Sequence, residues 1–198
     1  LEFRRVLFRS KEELTNVTDA NIAYMDKVTT LITLELNELA RLDAAAKAEL
    51  TWLLPRGGLT FDPVLGSVNA LISSGQLNRV RNRELRGLIG SWPALMDEIG
   101  EDQEILIDTY MAIQDRNVDL GIYLLGLRGE SMNNSSQNDY EILKTVIEDA
   151  EMLNRLAAHR FAVYALNEEL SQVDSHLDRI LLALEQQLET EAANLTNN

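Results

Sequence analysis

The sequence predicts an all-α fold, an antiparallel bundle of three long helices with one short helix in the connection between the first two. All ten glycines and all three prolines lie between Pro55 and Gly129. Because these residues interrupt or end helices, residues 11–54 and 130–198, which contain neither, are predicted to be mainly helical. Apolar residues recur at helical spacing in both segments, and no strand-like alternation of useful length is present.

The first long helix is predicted to begin at Lys11 and to extend about 60 Å. Pro55 and the two glycines that follow it should end this helix. Its apolar positions follow the helical period and form one stripe. They are Leu14, Val17, Tyr24, Val28, Leu31, Leu39 and Leu42.

One short helix is predicted in the connection that follows. Ser67 has a side chain suited to an N-cap, and Gly75 stands where a left-handed residue would end the helix. Asn82 is then predicted to cap the second long helix. Glu84 lies in the first turn of that helix, where a negative charge is favourable.

The second long helix carries apolar residues at helical spacing between Leu85 and Ile113. Pro93 lies inside it, so a kink is predicted at residues 90–93. The helix is expected to end around residues 121–129, and the polar stretch 129–139 to form a loop.

The last long helix is predicted to begin at Asn138, with Glu141 completing a capping box, and to end near Glu191. Its apolar stretch 160–166 implies cover from a second side, for which the short helix is the candidate. A coiled-coil seam follows, and since this helix is longer than its partners, part of the seam is expected to be available for a homodimer. The seam residues are Leu166, Leu170, Val173, Leu177, Ile180 and Leu184.

These three helices are predicted to run out, back and out again, each burying its apolar stripe against the others. Residues 11–198 have the length of one ordinary domain and are predicted to form a single helical-bundle domain.

The first ten residues, LEFRRVLFRS, resemble a translated sequencing adapter. They lack the continuous apolar core and the cleavage site of a secretory signal. We therefore expect residues 1–10 to be non-native, and the natural protein to be truncated near Lys11. The alternative is a natural amphipathic arm that binds acidic lipid.

The chain is strongly acidic, with 18 Lys and Arg against 32 Asp and Glu and a net charge of −14. Three arginines and one glutamate lie in residues 1–10, so residues 11–198 carry −16. This balance disfavours nucleic acid and broad contact with anionic lipid, because both require basic surface. The absence of cysteine excludes disulfides and thiolate zinc sites.

One basic cluster interrupts this acidity, and two interpretations of it stay open. The arginines either pair with carboxylates of the bundle or form a docking patch for an acidic partner. If a membrane anchor preceded the first helix, the cluster would lie at the far tip, about 60 Å away, where lipid contact is not expected. The cluster consists of Arg79, Arg81, Arg83 and Arg86.

No motif for catalysis, metal binding or cofactor binding is present in the sequence. Neither His159 nor His176 follows a Glu or Asp by three or four residues, which excludes the Glu-x-x-His motif of di-iron bundles. Ser73 and Ser74 have no identifiable base beside them, and no phosphate-binding loop or nucleophile elbow is found. We expect a non-enzymatic protein without cofactor or metal.

The segment 59–92 resembles the signature of a bacterial family of unknown function. That signature reads Phe-x-Pro, a Ser or Thr before a short helix, Ser-Gly-x-Leu, and Asn-x-Glu-Leu-Arg. The family resemblance implies a single N-terminal inner-membrane helix upstream of Lys11, a helical domain and no known enzymatic activity. The matching residues are Phe61, Pro63, Ser67, Ser74, Gly75, Leu77, Asn82, Glu84, Leu85 and Arg86.

The sequence therefore predicts a non-enzymatic interaction or scaffold domain of a single-pass protein of the bacterial inner membrane, with the side of the membrane left open. Its expected partners are the membrane, through the upstream helix, and either a protein partner or a second copy. The alternative is the ligand-sensing domain of a bacterial membrane receptor. Such sensors also use long antiparallel helices but need a second membrane helix after the bundle, where this chain has the polar EAANLTNN.

Overall fold

The computed structural model describes residues 2–54, 56–63, 66–125 and 135–196, and the side chains of residues 2, 3, 66, 67, 135 and 191–196 are left out of the description. The described residues are predominantly helical and contain no strand, which confirms the predicted all-α class. The helices are α1 (Glu2–Thr33), α2 (Leu36–Leu39), α3 (Ala44–Thr51), α4 (Gly66–Ser73), a 3₁₀ helix (Gln76–Arg79), α5 (Arg83–Asp119), α6 (Ser135–Glu148) and α7 (Ala150–Thr196).

The described part of the connection between α1 and α5 holds three short α-helices and a 3₁₀ helix, so the prediction of one short helix there was wrong. The first long helix ends at Thr33, although no glycine or proline lies there. Polar side chains then start the two short helices that follow. Glu35 is extended (φ −92°, ψ 154°) and its amide donates to the Glu38 carboxylate at 3.2 Å, which starts α2. Asp43 starts α3 by accepting a hydrogen bond from the Ala46 amide at 2.8 Å.

The last helix is also divided, by a side chain that the sequence prediction overlooked. Asp149 separates α6 from α7, and its carboxylate caps α7 by accepting from the Met152 amide at 2.6 Å. Helix α6 begins at Ser135 rather than at Asn138, so residues 135–139 of the predicted loop are helical. The rest of that loop, from residue 129 on, lies outside the described residues.

The chain divides into two compact units. Unit 1 comprises Leu1–Thr18, Thr60–Glu101 and Asn167–Asn198, and unit 2 comprises Asp19–Leu59 and Asp102–Leu166. Each of the three long helices contributes a segment to each unit. The single domain over residues 11–198 stays a prediction.

In unit 1, the α1 and α5 segments both run antiparallel to α7. On α1, Arg4 pairs with Glu185 at 2.7 Å, and the Thr18 carbonyl accepts from Asn167 at 3.3 Å. Along α5, as along α1, the residue numbers of the contacts on α7 decrease as the residue numbers on the helix increase. These α5 contacts are Asn82 with the Ala183 carbonyl at 3.3 Å, Glu84 with Arg179 at 3.3 Å, and the Leu88 carbonyl with His176 at 2.9 Å.

Residues 4–10 belong to this packing as the first turns of α1. Leu7 and Ser10 are both buried in unit 1. Their non-native origin stays a prediction, since packing does not reveal where a segment came from.

In unit 2, the connection after α1 returns antiparallel to α1. Lys27 pairs with Glu49 at 2.7 Å, and the Asn21 side chain exchanges two hydrogen bonds with the backbone of Leu59, at 2.6 and 3.1 Å. Helices α2 and α3 pack against α6. Because the connection makes the return, the α1 and α5 segments run in the same direction within each unit, and the predicted out, back and out order was wrong.

The predicted seam of α7 is buried inside the chain from Leu166 to Ile180, while Leu184 is half-buried. The aromatic residues before it do not have the cover that was expected, because Phe161 is 69% exposed and Tyr164 is also exposed. The seam residues from Leu166 to Ile180 are therefore covered within the chain. The homodimer stays a prediction.

Candidate functional site

Residues 79–86, which we call the arginine segment, link the 3₁₀ helix to α5. Gly75 ends α4 in the left-handed conformation (φ 70°, ψ 5°), which glycine adopts without steric cost. Val80 begins an extended link, and the Asn82 side chain accepts from the Leu85 amide at 3.1 Å, so that Asn82 caps α5. A glycine turn and an asparagine cap thus fix where the arginines stand.

The arginines of this segment do not pair with carboxylates among the described residues. Arg79, Arg81 and Arg83 are exposed, and Arg86 donates only to the Val80 carbonyl, at 3.3 Å. The one carboxylate inside the segment, that of Glu84, faces Arg179. The interpretation of the cluster as internal ion pairing was therefore wrong for the part of the chain that the structure describes.

The position of the arginine segment also differs from the one expected. Its Asn82 bonds to Ala183 on α7, while Arg4 near the start of α1 pairs with Glu185, only two residues further along. The segment therefore lies at the end of unit 1 where α1 begins, not about 60 Å away at the far tip. The returning connection between α1 and α5 causes this difference.

Two arginines of the segment are electrostatically unfavourable to α5, whereas Glu84 in the same turn is favourable. Arg83 and Arg86 lie in the first turn of α5, where the unpaired backbone amides already create a partial positive charge. Arginine there repels the helix dipole, so helix stability does not explain it. The arrangement instead concentrates positive potential on an otherwise acidic chain.

The structure gives no more than positions in helices and backbone contacts for the other residues selected from the sequence, Ser67, Pro93 and His176. Helix α4 begins at Gly66, one residue before Ser67, whose side chain lies outside the described residues. Pro93 lies inside α5 without ending it, and the kink stays a prediction. His176 donates from Nε2 to the Leu88 carbonyl.

A second polar group, which the sequence did not indicate, surrounds His159 in unit 2. His159 is fully buried, its Nε2 accepts from the Gly58 amide at 3.3 Å, and its Nδ1 lies 2.8 Å from the Thr109 hydroxyl. Because Gly58 donates to Nε2, the proton of the neutral ring is on Nδ1. The rings of Tyr24 and Tyr110 lie 5.5 and 6.1 Å from the imidazole, centroid to centroid.

Burial sets the protonation of this group, which we call the His159 cluster. It lowers the pKa of His159 to about 4, since an imidazolium would lose its hydration, and it raises the pKa of the Tyr24 phenol. The two glycines at residues 57 and 58 allow the approach. A Cβ on Gly58 would lie 2.8 Å from Cγ2 of Val163, closer than side-chain carbons normally approach.

The His159 cluster holds a neutral base, but it lacks the parts of a hydrolytic site. The Thr109 hydroxyl donates to the Leu106 carbonyl at 2.9 Å, so its proton is not directed at the imidazole. The described residues contain no group of three metal-ligating side chains. The contacts of His159 with Gly58 and Thr109 instead hold the connection at Gly58 against α5 and α7.

No protein-family model, curated protein or solved structure matches this chain. The family resemblance of the segment 59–92 accordingly stays a prediction. Within the described residues, no helix has both the length and the apolar character needed to cross a bilayer.

Proposed function

We propose that this chain is a non-enzymatic interaction domain that acts as a scaffold and docks an acidic protein partner through the arginine segment. The observation that carries the proposal is the set of arginines without a carboxylate partner among the described residues, on a chain of net charge −14. Complementary charge steers association and selects among partners, so an isolated basic surface favours an acidic one.

The finer architecture and the cellular setting belong to the same proposal. The antiparallel pairing of α7 with α1 and α5 inside each unit supports a helical bundle as the scaffold. The bacterial inner-membrane anchor upstream of Lys11 rests on the family resemblance. The natural coding sequence upstream of Lys11, recovered from the source material, tests the anchor: it should encode about twenty consecutive apolar residues, and a short polar start would contradict it.

The docking function is tested with a labelled polyglutamate peptide by fluorescence anisotropy at about 0.15 M salt, where non-specific attraction is screened. The triple variant Arg79→Glu/Arg81→Glu/Arg83→Glu should bind at least about tenfold more weakly than the parent chain. All three side chains are exposed, so the fold should be kept, which circular dichroism checks.

The matched control changes the same amount of charge elsewhere. Its residues, Arg41, Arg56 and Lys144, lie in unit 2, outside the unit that holds the segment, and each is replaced by Glu. The control should keep nearly all of the binding. Equal losses in the two variants would show a net-charge effect and contradict the proposal, as would binding to phosphatidylglycerol vesicles without binding to the peptide.

A further inference from the structure

The outward face of α5 in unit 2 carries an exposed apolar row. Ile107 and Met111 are each 50% exposed and Val118 is 65% exposed. Spacings of four and seven residues put them on one face of the helix, one above the other. The inner face of the same helix buries Leu106 and Ile113, so the outer row is a second apolar row that the core does not use.

The apolar row continues past the end of α5. Tyr123 and Leu124 follow the turn at Gly121, and both are exposed. The Tyr123 hydroxyl donates to the side-chain oxygen of Gln114, which brings the ring back alongside the helix between the positions of Met111 and Val118. The exposed patch is therefore contiguous rather than a set of scattered surface residues, and such patches mark interaction sites.

An acidic row runs parallel to the apolar one. Glu104, Asp108 and Asp115 are exposed and repeat the same spacing of four and seven, three residues before each apolar position. None of the three forms an ion pair among the described residues. Next to them, Asp119 forms an ion pair with Arg116, at 3.9 Å. The acidic row thus borders one side of the apolar row with free negative charge.

We propose that these two rows form a docking surface for an amphipathic helix whose apolar stripe is flanked by Lys or Arg. The rows span residues 104–118, about 21 Å, which is the length of four helical turns and suits a partner helix lying along α5. Apolar contact would supply affinity, and basic side chains facing the acidic row would fix orientation.

A second copy of this chain is a poorer occupant of the surface. Each copy carries a net charge of −14, and two acidic rows facing each other would repel. This surface has the opposite charge preference to the arginine segment, so it extends the proposed scaffold to a second, different partner. The two proposals stand on separate residues and fail separately.

The test uses the full chain and a labelled synthetic peptide helix of about 15 residues, with Leu on one stripe and Lys beside it. A twin peptide with Glu in place of each Lys is the second probe. At about 0.15 M salt the Lys peptide should bind and the Glu peptide should not. Replacing Ile107, Met111 and Val118 together by Ser should weaken binding of the Lys peptide at least about tenfold.

A charge-reversed variant separates this surface from general acidity. Glu104→Lys/Asp108→Lys/Asp115→Lys should lose the Lys peptide and gain the Glu peptide. The matched control reverses three exposed acids of α1, Glu12, Asp19 and Asp26, and should still bind the Lys peptide. Equal losses in both reversed variants would overturn the proposal.

Two further results would also overturn it. One is binding of the Lys peptide that persists when the apolar row is replaced by Ser. The other is a concentration-dependent dimer in sedimentation that this Ser variant abolishes, since the surface would then be an interface between two copies. Circular dichroism and thermal unfolding of each variant show that the fold is kept, and Phe161→Ser/Tyr164→Ser provides a control for loss of exposed aromatic area elsewhere.

Discussion

His159 shows how one buried side chain can fix both a protonation state and a segment of backbone. None of its neighbours in the cluster, Gly58, Thr109, Tyr24 and Tyr110, has a carboxylate, so an imidazolium would have no opposite charge beside it. Protonation would also place a second N–H against the Gly58 amide. Both effects favour the neutral ring, so the stability of unit 2 depends on pH.

The free energy of unfolding should therefore fall as the pH drops through the range set by His159. Its pKa is about 4 in the folded protein, below the ordinary value of 6.5. The contribution of the neutral His159 ring to the free energy of unfolding is fully present above about pH 6.5. It is lost as the pH falls through about 4, and the total loss is about 3 kcal/mol.

The measurement is denaturant unfolding from pH 7 to pH 4 on the parent chain and on His159→Gln, which does not titrate. Carboxylates titrate in both chains, so the difference between the two isolates the histidine. Two parallel curves would show that the pKa of His159 is the same in the folded and unfolded chains, and would contradict the prediction.

At the scale of single elements, the boundary between α6 and α7 is set by Asp149. Its carboxylate accepts from Met152 at the start of α7, and Arg116 of α5 holds it from the other side at 3.1 and 2.5 Å. The Arg116 guanidinium lowers the pKa of Asp149. One residue thus ends a helix, caps the next one and fixes both to a third.

Replacing Asp149 by Ala should cost about 2 kcal/mol of unfolding free energy, because α7 loses its cap and Arg116 loses its two hydrogen bonds to Asp149, while keeping Glu151 and Asp119 as ion-pair partners. Asp149→Asn keeps a capping oxygen without the charge and should cost roughly half as much. Chemical denaturation at pH 7 measures both. Equal costs for the two variants would mean that the charge pair, and not the cap, determines the effect.

At the scale of the whole molecule, the excess of acidic residues is a repulsive term in the folded state. Three ion pairs of the described surface, Arg4–Glu185, Lys27–Glu49 and Arg179–Glu84, are exposed on both sides, and exposed pairs contribute little. A net charge of −14 therefore favours expansion of the chain.

The thermal midpoint should accordingly rise when NaCl is raised from about 0.01 M to about 1 M, since the Debye length falls from about 30 Å to about 3 Å. The Glu12→Lys/Asp19→Lys/Asp26→Lys variant carries less net charge and should show a smaller rise. A falling midpoint would mean that the ion pairs contribute more than the repulsion.

Much of the fold could be predicted from the sequence because the three long helices are encoded locally. Apolar spacing, the glycine at residue 75 and the asparagine at residue 82 act over a few residues. The break at Asp149 could have been found from the same local chemistry, since aspartate is a preferred N-cap that can end one helix and start the next. The break at Glu35 is harder to predict, because glutamate is not among the preferred N-cap residues. A stretch without glycine or proline is therefore not necessarily one continuous helix, because a polar side chain can end one helix and start the next.

The candidate surfaces were less predictable, because burial and pairing depend on which helix faces which. The arginine segment was visible as a cluster, but its lack of carboxylate partners required the helices to be placed. The apolar row of α5 has helical spacing, as a core stripe does, and only burial separates Ile107 from Leu106. The His159 cluster joins residues that lie about 100 positions apart in the chain.

The sequence by itself determined the helical class, the acidity and the cap that starts α5, because each follows from local spacing, composition or one side chain next to its own backbone. Only the tertiary structure decided the directions of the helices, since the connection after α1 returns along α1 through the pairing of Asn21 with Leu59. In unit 1, the contacts of Asn82 and Arg4 with neighbouring residues of α7 place the arginine segment beside the start of α1. A long-range contact of this kind leaves no periodic signal, because its two partners gain free energy only when the intervening chain folds between them.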